Sequence, residues 1–203
     1  GPSTLGTGRS AGHDRRVTLI TEATPLPGLT SVRPMVKTPA PSCPARIVVP
    51  VDGSPFAERA LPVAAWLARE LAVPLHLLEV VPPPGDAVRA IHYLDDLARR
   101  FAAAGWDATR GRDPAAAILA AGHADGPGLA CLATHGRDRD AALLGSVATA
   151  VLDRTTQPVV LVGRHARPPC AVDAPVVVAG DGSTEDGTVV EVAAGWAARL
   201  DRE

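Results

Sequence analysis

The sequence has no surplus of charge of either sign: 20 Lys and Arg stand against 22 Asp and Glu, for a formal net charge of −2. That balance gives no broad electrostatic field toward DNA or an anionic membrane. Local runs such as Arg137-Asp138-Arg139-Asp140 alternate in sign instead of building a patch, so nucleic acid is not an expected partner. Long hydrophobic runs are absent too. None approaches the roughly 20 residues of a membrane span, and the first residues lack the continuous apolar core of about 7–15 residues of a signal peptide. The expected location is therefore cytoplasmic, with no membrane contact. Cysteine is scarce: Cys43, Cys131 and Cys170 show neither even pairing nor CxxC spacing, which argues against a disulfide framework or a zinc site. Cys131 lies in an apolar run and reads as a small core residue. Methionine occurs once, at Met35; either a natural start lies there or the chain is a piece of something longer.

What is present is apolar residue in quantity, 46% of 203 residues, enough for one full core and part of another. Residues 1–44, rich in Gly, Pro, Ser and Thr, read as a tail or linker that contributes at most one strand, at Val17-Thr18-Leu19-Ile20. From Arg46 short β-branched runs alternate with Ala/Leu-rich stretches, the pattern of βαβ units around a parallel sheet. Strands are expected at 47–51, 74–81, 106–110, 128–134 and 158–162. The first is an almost wholly apolar run, as a strand covered on both faces should be. The first helix is expected to start with Ser54 as N-cap and Pro55 as first helical residue. Its inward face is Ala57, Leu61, Ala64, Ala65, Ala68 and Leu71, and Pro62 predicts a kink or a lost backbone bond. Further helices are expected at 91–104, from Asp113-Pro114 to about 121, and at 146–154. The fold class is α/β, a doubly wound five-stranded parallel sheet with helices on both faces.

The opening Ile47-Val48-Val49-Pro50-Val51-Asp52-Gly53-Ser54 recurs as Val176-Val177-Val178-Ala179-Gly180-Asp181-Gly182-Ser183, and at the same offset Val63-Ala64-Ala65 recurs as Val192-Ala193-Ala194. Matching strand, turn and helix at one offset implies a duplicated domain. The expected organisation is a tail over 1–44, a domain over 45–163, a linker over 164–173 and the truncated start of a second domain over 174–203.

In a doubly wound sheet, ligands bind outside the carboxyl ends of the strands where strand order reverses. Two loops there carry suitable chemistry. In Asp52-Gly53-Ser54 a carboxylate can accept from ribose hydroxyls or an exocyclic amine, and Gly53 lets the backbone approach a ligand; the plain structural alternative is that Asp52 and Ser54 cap the helix. The second loop runs from Ala133-Thr134-His135-Gly136-Arg137 to Gly145-Ser146-Val147. Gly136 and Gly145 permit close approach, Gly145-Ser146 presents N–H groups at a helix start that favours phosphate, and Arg137 and Arg139 can add charge-assisted contacts. The alternative here is a glycine-permitted turn, a Ser-capped helix and solvated arginines.

The Val-Pro-Val-Asp-Gly-Ser opening, Ala-Thr-His-Gly, Leu-Leu-Gly-Ser-Val-Ala and the closing Gln-Pro-Val-Val-Leu-Val together resemble the universal stress protein family over residues 45–163. The resemblance implies a stress-responsive nucleotide-binding homodimer, taking ATP, with magnesium, and not a dedicated enzyme. It places Asp52 at the family's aspartate after strand one, Val80 and Val81 at the stretch whose backbone meets adenine, Gly136 at the middle glycine and Gly145-Ser146 at the phosphate-binding pair. With Gly53, Ala133, His135, Arg137 and Val147 these make up the expected site. Two departures stand out: Ala133 replaces the first glycine of the motif, and eight residues, not nine, separate Gly136 from Gly145. The resemblance also implies that Val159-Val160-Leu161-Val162 pairs across a dimer axis, or that Val176-Val177-Val178 takes the partner's place.

Two other functions compete with this reading. A nucleotide-using enzyme on a similar sheet lacks its residues: no Ser-Gly-Gly-x-Asp-Ser loop, HIGH-type signature or G-x-x-x-x-G-K-[ST] loop occurs, and His135 has no assignable carboxylate partner. The other is a dimerisation or scaffold domain of the same fold that does not bind nucleotide.

Overall fold

A run of β-branched residues that is apolar at every position has no solvent face, and Ile47–Val51 (β1) accordingly lies at the centre of a sheet with Ile47, Val48 and Val49 fully buried. The computed structural model describes residues 44–134, 144–163, 166, 177–179 and 186–201, excepting the side chains of 186–188. It divides into two units, Thr38–Val172 and a second formed by Gly1–Lys37 with Asp173–Glu203.

In the first unit β1 is joined by Leu75–Val81 (β2), Gly105–Arg110 (β3), Leu129–Ala133 (β4) and Val159–Val162 (β5), all parallel, in the order β3-β2-β1-β4-β5. The chain first builds outward from β1 to β3, then returns to the other side of β1 for β4, so order reverses between β1 and β4. Helices Ala60–Leu71 (α1) and Ala87–Phe101 (α2) pack on one face, and Pro114–His123 (α3) with Ser146–Leu152 (α4) on the other. Side chains alternate along each strand. Val48, Leu78, Ala130 and Leu132 thus join Ala115, Ile118 and Val151 in the core under α3 and α4, while Cys131, between two of them, turns its thiol to within 3.9 Å of the Ala60 carbonyl at the start of α1. Burial pushes the Cys131 thiol up to about 12; it is the small core residue that its setting predicted.

The first helix starts later than expected. Ser54 Oγ accepts from the Ala57 N–H at 3.2 Å, but Pro55 lies in the turn before the helix and the segment opens as a single 3-10 turn, Ala57–Arg59, with Phe56 at its N-cap, so that α1 begins only at Ala60. Pro62 consequently falls in the first turn, where a backbone N–H has no acceptor within the helix, and the expected mid-helix interruption does not arise. Its buried face keeps Ala57, Leu61, Ala64, Ala68 and Leu71 and adds Ala60 and Leu67; Ala65 is only half-buried. The cap-then-proline reading of α3 holds, with Asp113 Oδ1 accepting from the Ala116 N–H at 3.0 Å and Pro114 as first helical residue. That carboxylate lies below the usual aspartate range because it accepts this backbone bond and a second, at 2.7 Å, from Arg154.

Helix α2 runs four residues earlier than predicted, from Asp86, whose Oδ1 accepts from Val88 and Arg89 N–H at 2.9 and 3.1 Å. It stops three residues before the predicted end because Ala102 turns left-handed, at φ 52°; Ala72 ends α1 in the same way at φ 54°. An alanine there carries a Cβ clash that glycine lacks. Replacing Ala102→Gly is therefore expected to raise unfolding stability, by up to about 1 kcal/mol after the added freedom of the unfolded chain is offset. Urea denaturation of the two proteins measures it.

In the second unit the described helix is Asp186–Arg199 (α5). It carries Val192-Ala193-Ala194 as α1 carries Val63-Ala64-Ala65, while the described residues 177–179 are not in a strand. Among the described residues no helix is long and apolar enough to cross a membrane.

Candidate functional site

The reversal of strand order between β1 and β4 opens a cleft of about 520 Å³ at the carboxyl ends of the strands. Its walls come from each of the central strand ends and the helices that follow: Asp52 after β1; Val80 and Val81 closing β2; Ala133 and Thr134 closing β4; Gly145, Ser146 and Val147 at the start of α4. Seven of the expected site residues, Asp52, Val80, Val81, Ala133, Gly145, Ser146 and Val147, thus share one cleft. Gly53 does not line it; its role is the turn, which it makes at φ 79°, where a side chain would be strained. His135, Gly136 and Arg137 lie outside the described residues.

In the β1 loop Asp52 and Ser54 brace the turn ahead of the helix, and Asp52 lines the cleft. Asp52 Oδ1 accepts from the Ser54 N–H at 2.9 Å and Ser54 Oγ from that of Ala57, so the turn is built by its own side chains. On the β4 side, the Gly145 N–H donates to the Thr134 carbonyl at 2.6 Å, and the Thr134 N–H to the Val162 carbonyl at 2.9 Å. The two ends of the intervening loop are therefore pinned together on the sheet. This bond corrects one expectation: the Gly145 N–H is spent on Thr134. Gly145 is the N-cap of α4, and its carbonyl takes the first helical bond, from the Thr149 N–H at 3.0 Å. The N–H groups that α4 leaves without an intrahelical acceptor begin at Ser146. Ser146 is the first helical residue and exposed, so it does not cap the helix.

At β2, the Val81 carbonyl accepts from the Gly111 N–H at 3.2 Å. The strand also brings in a residue that the pattern of the sequence did not single out. Glu79 lines the cleft and is 3% exposed, with Arg89 of α2 donating to its Oε1. Nearby, Tyr93 gives its hydroxyl hydrogen to Glu58 at 3.1 Å, and burial with the Glu58 charge pushes the phenol well above its ordinary value. The available signal was an acidic residue inside a strand that should be covered on both faces. Among the described residues no group of three His, Cys, Asp or Glu is placed to hold a metal ion.

Comparisons with known proteins agree with this architecture. A protein described as hypothetical, whose biochemical function was assigned from its structure, superposes with a TM-score of 0.52 at 19% identity, covering 62% of this chain and 100% of its own. That shows the shared fold. A universal stress protein from Lactobacillus plantarum is 23% identical at TM-score 0.49, covering 59% of this chain and 97% of its own. Another universal stress protein, solved in complex with cAMP, is 25% identical at TM-score 0.49, over 60% and 98%. No curated protein matches the sequence. The model of the universal stress protein family matches residues 45–104 and 107–163, the span of the five-stranded sheet and its four helices, and on that match the chain belongs to the universal stress protein family.

Proposed function

We propose that this protein is an ATP-binding stress-response module that acts by nucleotide-dependent binding or signalling and carries out no dedicated chemistry. One observation supports the reading above the others: seven residues drawn from four separate stretches of sequence line a single cleft at the switch point, of a volume suited to a nucleotide. In this reading the backbone of Val80 and Val81 meets adenine. Asp52 accepts from the ribose, and the N–H groups of Ser146 and Val147 face the phosphates with the Ser146 hydroxyl beside them. Magnesium arrives with the phosphates and is held chiefly by them. His135, Gly136 and Arg137 complete the phosphate side. The protein pairs as a homodimer through β5, which lies at the sheet edge with Leu161 37% exposed, and works in the cytoplasm. Residues 45–163 are one domain, 174–203 the truncated start of a second, 164–173 the linker between them, and 1–44 a tail or linker ahead of the first.

Calorimetry with ATP and magnesium tests the reading. Millimolar affinity or better is expected. Ser146→Ala should weaken ATP by about 1.5–3 kcal/mol, the worth of a hydrogen bond to a charged group, and leave adenosine nearly unchanged. Asp52→Ala should weaken both. A wild-type protein blind to ATP leaves the scaffold reading, which the loop of eight residues between Gly136 and Gly145 favours. Light scattering that finds a monomer removes the dimer.

A further inference from the structure

Glu79 is the one residue whose side-chain oxygen, Oε2, is buried without a hydrogen-bond partner among the described residues. A carboxylate oxygen withdrawn from water and given no donor is costly, so such a group needs an explanation. The donors nearby among the described residues do not supply one. Arg89 donates to the other oxygen, Oε1, and is itself placed by Asp86, which accepts from the Arg89 N–H and anchors the start of α2. The Tyr93 hydroxyl is committed to Glu58. Glu79 and Arg89 both line the cleft, and the terminal torsion of a glutamate is broad. Rotation about that torsion is the movement that would turn Oε2 toward the cleft with Arg89 still beside the carboxylate.

We propose that Glu79, oriented by Arg89, selects the base of the bound nucleotide by accepting a hydrogen bond from its exocyclic amine. The inference rests on the nucleotide reading above, and the sheet determines which part of the ligand arrives there. Glu79 is the register partner of Val51, the residue before Asp52, on the strand next to β1. Gly145 and Ser146 follow β4 on the opposite side of β1. Two strand spacings, roughly 10 Å, separate β2 from β4. A nucleotide with its phosphates at Ser146 passes Asp52 with its ribose and reaches β2 with its base. A buried carboxylate there favours a base that presents N–H at its edge and disfavours one that presents a carbonyl oxygen in the same place.

ATP and ITP differ at that place, an amine in one and a carbonyl in the other, and the test is their affinity ratio by calorimetry on wild type and Glu79→Gln. The wild type is expected to prefer ATP on the order of ten- to a hundredfold, the worth of a hydrogen bond to a charged group. The glutamine keeps its carbonyl for Arg89 and turns an amide N–H toward the ligand, so the ratio should fall at least tenfold. A ratio taken on one preparation reports the folded molecules alone. Should Glu79→Gln not fold, Arg89→Gln unclamps the carboxylate from the half-exposed side of the pair and is expected to lower the ratio as well. If wild type binds ATP but does not distinguish it from ITP, or the variant keeps the wild-type ratio, Glu79 does not read the base and the nucleotide reading stands. If Glu79→Gln instead changes the ratio of ATP to 2′-deoxy-ATP, the carboxylate meets the ribose and the assignment is overturned. Wild type that binds neither ATP nor ITP overturns this inference and the nucleotide reading together.

Discussion

Gly145→Val is expected to abolish ATP binding while leaving the fold in place. The two effects separate because of what Gly145 does with its backbone. At φ −70° and ψ 159° it is in the extended region that valine also favours. Its hydrogen bonds, from its N–H to the Thr134 carbonyl and from the Thr149 N–H and hydroxyl to its carbonyl, use main-chain atoms that the substitution retains. The cost to folding is that of a weaker N-cap residue, about 1 kcal/mol. The cost to binding is steric. Gly145 lines the cleft beside Ser146, where the phosphates are proposed to sit, and a valine side chain that fills that space is expected to cost at least a hundredfold in affinity, about 2.7 kcal/mol or more. Gly145→Ala fills less of the space and should lose less. Calorimetry combined with a melting curve for each variant gives the answer: if Gly145→Val melts near the wild type and still binds ATP at wild-type affinity, the phosphates do not lie at the start of α4.

The parts of the fold that were legible in the sequence are those where one residue type has one physical use. Asp113-Pro114 announced α3 because an aspartate that accepts backbone N–H groups followed by a residue without one fits only a helix start. The apolar run at 47–51 announced a central strand because a segment without a polar face needs cover on both sides. Helix ends were less legible, since the left-handed residues closing α1 and α2 are Ala72 and Ala102, and the usual glycine signal is missing. The delayed start of α1 was hidden because a Ser-Pro pair whose hydroxyl takes a backbone N–H three residues on precedes a 3-10 turn as readily as an α-helix. In the cleft, residues in turns could be found by their chemistry. Glu79 could not be found by periodicity, since it occupies a strand position that an apolar side chain would fill equally well; its meaning comes from Arg89, which only the packing of α2 brings alongside. The bond from Gly145 to Thr134 was likewise invisible, because it joins the ends of a loop through main-chain atoms common to every residue.

Leu94→Ala is expected to cost about 2–5 kcal/mol of unfolding free energy, the range for truncating a buried leucine, and so to consume much of the roughly 5–15 kcal/mol that holds a domain of this size. Helix α2 covers β2 and β3 yet fully buries only Ala90, Leu94 and Leu97. Leu94 is 0% exposed, so its removal opens a cavity at the middle of the contact. The rest of the helix cannot compensate. Its pairs within the helix, Arg99 with Asp95 and Arg100 with Asp96, are four residues apart on the exposed side, where each contributes a few tenths of a kcal/mol, and the pair of Arg89 with Glu79 of β2, present in both proteins, does not fill the cavity. Ile91, one turn earlier and 42% exposed, is the internal control: Ile91→Ala should cost less than about 1 kcal/mol although the residue lost is larger than alanine by a similar amount. Urea denaturation of the three proteins, with the slope against denaturant unchanged, measures the difference. Equal costs at the two positions would mean that α2 does not face the sheet through Leu94, and the wall that carries Asp86 and Arg89 into the cleft would need a different anchor.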